Sequence, residues 1–278
     1  MTQQDIRSHY DKQWQAQSDA AADAGGLAYS DPVEDAVLYP VYERLIDDFN
    51  MKPDGGNVLD VGSGSGRWIR FFLERYRPQR LMGIDYSAAS VALLKKWHPP
   101  DAVDLEFRHA DLADPDLDLG DTFDLVNVAN VLFHIPETDL FTRAVANLAR
   151  LVAPGGFIVT TEYMPRCTMR TEWMMVRSRY ELEAAFNAAG LRIIGVRAFS
   201  FFSNDPMGID GPDHAVRHHF HRVRAAMKQL LSAKLDDAAR RFMTEYIAEI
   251  ERATLAFCRE RIAEIDLPSQ KLVVLKRA

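Results

Sequence analysis

An acid and three glycines form the densest group of residues able to do chemistry in this chain. The run 58–68 reads VLDVGSGSGRW, so Asp60 stands two residues before the glycines, which alternate as Gly62, Gly64 and Gly66. Glycines let the backbone approach a ligand closely, and the N-terminus of a following helix offers unpaired N–H groups. The run predicts a strand, a turn and a helix that bind a nucleotide-type ligand, the alternative being a tight turn without one.

Two more acids end the next two predicted strands. Asp85 closes the segment LMGID, and Asp111 follows the segment 105–109. A carboxylate at the end of the second strand can accept both ribose hydroxyls of a nucleoside, and Asp111 can receive an adenine amino group. The glycine spacing differs from the G-x-G-x-x-G pattern of dinucleotide sites, which argues against a nicotinamide dehydrogenase.

Apolar periodicity defines the elements that must position these residues. Strands are predicted at 58–61, 81–84, 105–109, 123–128, 157–161, 191–199 and 270–276. Helices between the first six indicate parallel βαβ units in an open, doubly wound sheet. Before residue 56 we expect a short helix, a flexible stretch at 19–26, and a helix that starts at Asp31-Pro32 and is reset at Pro40.

The motifs, in this order, resemble the S-adenosylmethionine-dependent methyltransferases of the Rossmann-like class. The resemblance includes FDLV at 123–126, LVAPGGFI at 151–158 and the segment 180–191. Within the class the chain looks most like small-molecule enzymes of the ubiquinone-biosynthesis type, which often carry a stretch such as LFHI at 132–135. The resemblance implies an α/β, seven-stranded, mostly parallel Rossmann-like sheet with an antiparallel last strand. It also implies S-adenosylmethionine as cofactor, with S-adenosylhomocysteine as product.

The resemblance further implies two regions of the chain, and a third lies outside the part that the family core explains. Residues 1–55 would form an N-terminal helical lid, and residues 56–202 with 268–278 would form the cofactor-binding core. Residues 203–267 would be a helical insertion that serves as a substrate lid or a dimer contact. Within the insertion, the sequence predicts two amphipathic helices at 212–233 and 236–265, and the second would dock on the core or pair two subunits in a homodimer.

Cofactor-binding roles are likewise carried over from the resemblance. It implies that Asp60 helps to hold the ammonium group, Asp85 the ribose and Asp111 the adenine edge. The full set is Asp60, Gly62, Ser63, Gly64, Gly66, Asp85, Tyr86, Asp111, Leu112, Val128, Ala129 and Asn130.

The expected reaction is methyl transfer to a small molecule, most readily to a hydroxyl, by in-line displacement in which positioning and water exclusion supply much of the rate. His134 follows the fourth strand and is the candidate base, since an unperturbed imidazole has a pKa near 6.5. The alternative is that His134 only packs there. The residues predicted for the acceptor pocket are Tyr10, Trp14, Tyr29, Tyr39 and Tyr163. Residues 164–178 predict either an amphipathic pocket wall or a surface helix.

Two other readings stay open. One is N- or C-methylation of a small metabolite, and the other is a regulatory protein that binds the cofactor without turnover. Nucleic acid is not expected as a partner, because the net charge of −7 argues against binding by phosphate neutralisation and no Asn/Asp-Pro-Pro-aromatic motif follows strand four. A local basic patch stays open.

Composition sets the remaining expectations. The 278 residues include two cysteines, too few for a disulfide framework or a thiolate metal site, which favours the cytoplasm. His214 and His218 lie four residues apart, but they lack the Glu of H-E-x-x-H, so no metal is expected. No apolar run approaches about 18 residues, so neither a membrane span nor a membrane partner is expected.

Overall fold

The computed structural model describes residues 2–24, 32–97, 103–200, 215–232, 235–267 and 269–278. Its strands are β1 (Asn57–Val61), β2 (Arg80–Asp85), β3 (Asp104–His109), β4 (Phe123–Val128), β5 (Val152–Glu162), β6 (Met169–Arg170), β7 (Met175–Val176), β8 (Leu191–Ser200) and β9 (Gln270–Arg277). Its α-helices are α1 (Gln3–Ala24), α2 (Pro32–Asp48), α3 (Arg67–Arg75), α4 (Ala88–Trp97), α5 (Thr138–Leu151), α6 (Arg179–Ala188), α7 (Ala215–Ser232) and α8 (Asp237–Arg259).

A seven-stranded sheet in the order β3-β2-β1-β4-β5-β9-β8 forms the centre of the molecule. The pairs from β3 to β5 are parallel, and β9 runs antiparallel to both of its neighbours. This confirms the predicted doubly wound sheet with an antiparallel last strand. The chain leaves β1 toward β2 and returns to β4 on the other side of β1. The carboxyl ends of β1 and β4 therefore flank the point where ligands bind in such sheets.

Both faces of the sheet are covered, so β1 is buried on each side. Leu59 and Val61 belong to one apolar core, which includes side chains of α5 and α6. Val58 belongs to the other, which holds the aromatic rings of Tyr42 and Trp68. Burial on both faces explains why the strands read as nearly continuous apolar runs.

The prediction that Pro40 resets a helix is wrong, because α2 continues through it. Proline lacks the N–H that would bond the carbonyl four residues earlier, which is that of Ala36. The guanidinium of Arg252, on α8, instead donates to the Ala36 carbonyl at 3.4 Å. A neighbouring helix therefore replaces part of what the proline removes.

Two other segments differ from expectation. Helix α1 continues to Ala24 instead of giving way to a flexible stretch at residue 19. Residues 164–178 contain the two-stranded β6–β7 sheet, so the surface-helix alternative is wrong. Met169, Met174 and Val176 from this segment pack with Phe133 and Tyr163, and that contact suits a strand pair lying flat on the core.

The predicted insertion helices are present as α7 and α8. Helix α8 docks on α2 and β8. His214 and the flanking residues 201–214 lie outside the described part of the chain. Within the described residues, the helices are too short or too polar to cross a bilayer.

Candidate active site

A cavity of about 330 Å³ lies at the carboxyl ends of β1, β2 and β4, with α1 along one side. Twelve of the predicted site residues line it: Tyr10, Trp14, Gly62, Ser63, Gly64, Asp85, Tyr86, Asp111, Leu112, Ala129, Asn130 and His134. Residues from separate strand ends thus come together at the switch point of the sheet.

The glycine turn forms one wall of the cavity and has no room for side chains. Gly62 and Gly64 have φ angles of 69° and 51°, in the left-handed region that favours glycine. A Cβ atom on Gly62 would lie 2.4 Å from Cγ2 of Val131, and one on Gly64 would lie 2.8 Å from Cζ2 of Trp14. The backbone itself is therefore the surface that a ligand would meet.

Asp85 joins the end of β2 to this turn. Its Oδ2 accepts a hydrogen bond from the Gly64 N–H at 2.9 Å, and its Oδ1 accepts one from the Ser87 N–H at 2.8 Å. Burial raises the pKa of Asp85, and the two N–H donors oppose that shift. Each carboxylate oxygen keeps a further lone pair, so Asp85 can still accept hydroxyl groups from a ligand.

Asp60 lies on β1 behind the cavity wall, two residues before Gly62. Its Oδ1 accepts a hydrogen bond from Nδ2 of Asn127 at 2.8 Å. Its Oδ2 is buried and has no hydrogen-bond donor among the described residues. Burial raises the pKa of Asp60 to about 7, and the Asn127 bond opposes that shift. A buried carboxylate oxygen without a hydrogen-bond donor lowers the stability of the fold until a donor or a cation contacts it.

Helix α1 covers one side of the cavity. The residues that face it follow the helical period, namely Gln3, Ile6, Arg7, Tyr10, Gln13 and Trp14. Arg7 forms an ion pair with Asp111, and the Ser87 hydroxyl donates to Asp11 at 2.5 Å. Polar contacts of this kind, made at the edge of the cavity, hold α1 over the site.

His134 ends a short 3₁₀ turn after β4 and is partly buried. Its Nδ1 lies 3.0 Å from the Trp173 carbonyl, which can only accept, so Nδ1 carries the proton. Its Nε2 then accepts from the hydroxyl of Tyr10 at 3.2 Å. Burial lowers the pKa of His134 to about 4, so the imidazole is neutral at physiological pH. A neutral acceptor nitrogen therefore faces the cavity.

Comparison with known proteins adds a second line of evidence. Residues 58–156 match the family model of a methyltransferase domain. The ubiquinone biosynthesis O-methyltransferase of Brucella ovis is 29% identical over 180 residues, which cover 55% of this chain and 69% of that relative. The protein is a methyltransferase, and it is similar to S-adenosylmethionine-dependent enzymes of the Rossmann-like class. The erythromycin 3''-O-methyltransferase of Saccharopolyspora erythraea is 30% identical over 114 residues, which cover 40% of this chain and 36% of that enzyme.

Solved structures of other methyltransferases have a similar fold. A methyltransferase from Mesorhizobium loti has a TM-score of 0.53 at 18% identity, covering 88% of this chain and all of that one. The CcbJ methyltransferase from Streptomyces caelestis has a TM-score of 0.51 at 15% identity, covering 91% and 92%. At this level of identity the likeness is one of fold alone.

Several predicted residues of the methyltransferase lie away from the cavity. Tyr39 packs against Trp68 and donates its hydroxyl to the Arg67 carbonyl at 3.2 Å. Tyr163 packs against Phe133. Val128 is buried in the sheet, Gly66 precedes the first residue of α3, and Tyr29 lies outside the described residues.

Asn130 lines the cavity with its backbone in the left-handed region, at a φ of 59°. Its N–H donates to Oγ1 of Thr161 at 2.6 Å, and its Oδ1 accepts from Thr161 at 3.0 Å and from Gln270 at 2.6 Å. Asparagine tolerates this conformation better than most residues. The Asn130 side chain therefore holds the turn after β4 against β5 and β9.

The sequence patterns did not identify some of the lining residues, among them Gln3, Ile6, Arg7, Gln13 and Trp68. The signal available for those on α1 was their helical spacing with Tyr10 and Trp14. That spacing could not assign these residues to the cavity, because it identifies one face of a helix but not what the face covers.

Proposed function

We propose that this methyltransferase transfers a methyl group from S-adenosylmethionine to a hydroxyl of a small organic acceptor. The observation that carries the proposal is the neutral Nε2 of His134 at the cavity edge, on the same wall as Asn130 and the end of β4. The similarity to two O-methyltransferases supports a hydroxyl acceptor.

The residues present fit the cofactor. The unpartnered, buried Oδ2 of Asp60 favours a cation beside the glycine turn, which suits the ammonium group of a methionine moiety. A turn without side chains at Gly62 and Gly64 gives that moiety room to lie against the backbone. Asp85 would take the ribose, and Asp111 with Leu112 would hold the adenine edge. When bound, S-adenosylmethionine supplies an electrophilic methyl group on a sulfonium.

His134 would receive the acceptor's proton. Nδ1 is fixed by the Trp173 carbonyl, so Nε2 is the free base, and the acceptor hydroxyl takes the place of the Tyr10 hydroxyl. A pKa of about 4 makes this imidazole a weak base toward a resting alcohol or phenol. The proton of the acceptor hydroxyl becomes strongly acidic as the hydroxyl oxygen bonds to the methyl group, because that oxygen then has three bonds. A weak base in contact with the proton is sufficient at that stage.

Helix α1 would keep water out of the reaction. Its cavity face includes the apolar and aromatic side chains of Ile6, Tyr10 and Trp14. Exclusion of water protects a charged, reactive methyl donor and strengthens the electrostatic contacts around it. A cavity of about 330 Å³ that α1 covers on one side favours a compact organic acceptor over a protein surface.

Calorimetric titration with S-adenosylhomocysteine is the first test, followed by transfer assays with matched phenols, amines and carbon acids. We expect micromolar binding and methylation of phenols. His134→Gln should lower turnover on phenols by about 10²–10⁴-fold with an unchanged Kd for S-adenosylhomocysteine. His218→Gln, on the exposed surface of α7, is the matched control.

Absence of S-adenosylhomocysteine binding, or methylation confined to amines or carbon, would overturn the proposal. Full phenol turnover by His134→Gln would refute the role of His134 as the base. Binding without transfer to any acceptor would favour a regulatory protein instead.

A further inference from the structure

A buried chain of polar side chains runs from α2 to the end of β1. The Tyr42 hydroxyl donates to Oδ1 of Asn127 at 3.0 Å, and Nδ2 of Asn127 donates to Oδ1 of Asp60 at 2.8 Å. All three side chains are at most 1% exposed. The Tyr42 ring is held by Trp68 and Phe71, with ring centroids at 4.6 and 5.4 Å. The hydroxyl is therefore held in place by packing.

The middle member of this chain has two orientations of nearly equal shape. An asparagine amide presents either its NH₂ or its oxygen to a given neighbour, and the hydrogen-bond network decides which. With NH₂ toward Asp60, the Asn127 oxygen needs a donor on its other side, and Tyr42 supplies it. The reversed amide would place its oxygen against the Asp60 carboxylate, which is tolerable only when that carboxyl carries a proton.

We propose that Tyr42 is a positioning residue for the methyl donor, because its hydroxyl holds the Asn127 amide so that Asp60 stays ionised and presents its second oxygen to the donor's ammonium group. The inference rests on the proposed role of Asp60 in cofactor binding. It adds a residue that lies outside the family's domain match, which begins at residue 58.

The surroundings of Asp60 make its charge sensitive to the hydrogen bonds made by Asn127 and Ser63. Asp85, on β2, is the charged neighbour whose repulsion adds to burial in raising the pKa of Asp60 to about 7. The Ser63 hydroxyl, in the glycine turn, donates to the Asp60 carbonyl at 3.0 Å. Burial raises the pKa of Tyr42 well above its usual value, so Tyr42 stays neutral. Among the described residues, Asp60 has no ion pair with a lysine or arginine that would hold its charge.

Tyr42→Phe removes the hydroxyl and keeps the ring. A hydrogen bond to a charged group is worth about one pKa unit, so the midpoint of Asp60 ionisation should move from about 7 to about 8. The Kd for S-adenosylhomocysteine, measured by calorimetry from pH 6 to pH 8.5, should rise about fivefold at pH 7 and less than about 1.5-fold at pH 8.5.

Two controls separate positioning from a general loss of structure. Tyr39→Phe alters a neighbouring buried tyrosine whose hydroxyl bonds the Arg67 carbonyl, and it should leave the pH profile unchanged. 5′-Methylthioadenosine lacks the ammonium group, so its Kd should be the same for Tyr42→Phe and the wild type. Asn127→Ser, which shortens the middle side chain, should shift the pH profile in the same direction as Tyr42→Phe.

The outcomes are distinct. An unshifted pH midpoint in Tyr42→Phe, or equal weakening of 5′-methylthioadenosine and S-adenosylhomocysteine, overturns the positioning role and leaves the proposed function intact. Failure of the wild type to bind S-adenosylhomocysteine overturns the proposed function, and this inference with it.

Discussion

Gly62 and Val131 lie close together in the cavity wall. The effect of this close contact on the free energy of unfolding follows from the geometry. Gly62 has a φ of 69°, and a Cβ placed on it would lie 2.4 Å from Cγ2 of Val131. A side chain in the left-handed region costs about 1–2 kcal/mol, and overpacking a filled site costs about 1–3 kcal/mol. We therefore expect Gly62→Ala to lower the free energy of unfolding by about 3 kcal/mol.

A second substitution separates the two contributions. Val131→Ala removes Cγ2, so Gly62→Ala in that background should keep the backbone penalty and lose the clash. The expected cost there is about 1–2 kcal/mol, which gives a coupling free energy of about 1–2 kcal/mol between the two sites. Gly155→Ala is the matched control, because Gly155 has a φ of 84° and nothing within 4 Å of the added Cβ. Its cost should be the same in both backgrounds.

Urea denaturation of the wild type, the single variants and the double variants measures each term, provided that all share one m-value. The same proteins titrated with S-adenosylhomocysteine report whether the turn still binds the cofactor. Suppose that Gly62→Ala lowers the free energy of unfolding by the same amount in the wild type and in the Val131→Ala background. That result would refute the close approach and, with it, the described geometry of the turn.

Two further substitutions test buried charges. Lys271→Met should lower the free energy of unfolding, measured by urea denaturation, by about 3 kcal/mol. The Lys271 ammonium donates to three backbone carbonyls at 2.7–2.8 Å, and all three would lose their donor. A variant as stable as the wild type would contradict this prediction. Burial raises the pKa of Glu162 to about 8, above the unfolded value near 4.5, so the wild type should lose stability as the pH rises from 5 to 8. Glu162→Gln should therefore gain Tm relative to the wild type over that range, whereas exposed Glu74→Gln should not; a Tm difference independent of pH would exclude ionisation of Glu162 as the cause.

Local patterns in the sequence were sufficient for much of the fold. Strand β4 has its predicted bounds, and β1, β2 and β3 begin within one residue of prediction, because short apolar runs bounded by turn residues are local signals. β5 begins at Val152 instead of residue 157, since its first residues pair irregularly with β4. The resemblance to a known family, and not the residue periodicity, supplied the antiparallel last strand.

The sequence by itself also determined which residues gather at the carboxyl edge of the sheet, because parallel strands end there together. Tertiary structure alone decided the contacts between distant residues. It set Tyr42 beside Asn127, 85 positions away, and carried α2 through Pro40 with a contact from Arg252. It also placed Tyr39 and Tyr163 in packing contacts away from the cavity. Such contacts depend on how helices and strands pack in three dimensions, and no periodicity along the chain records that packing.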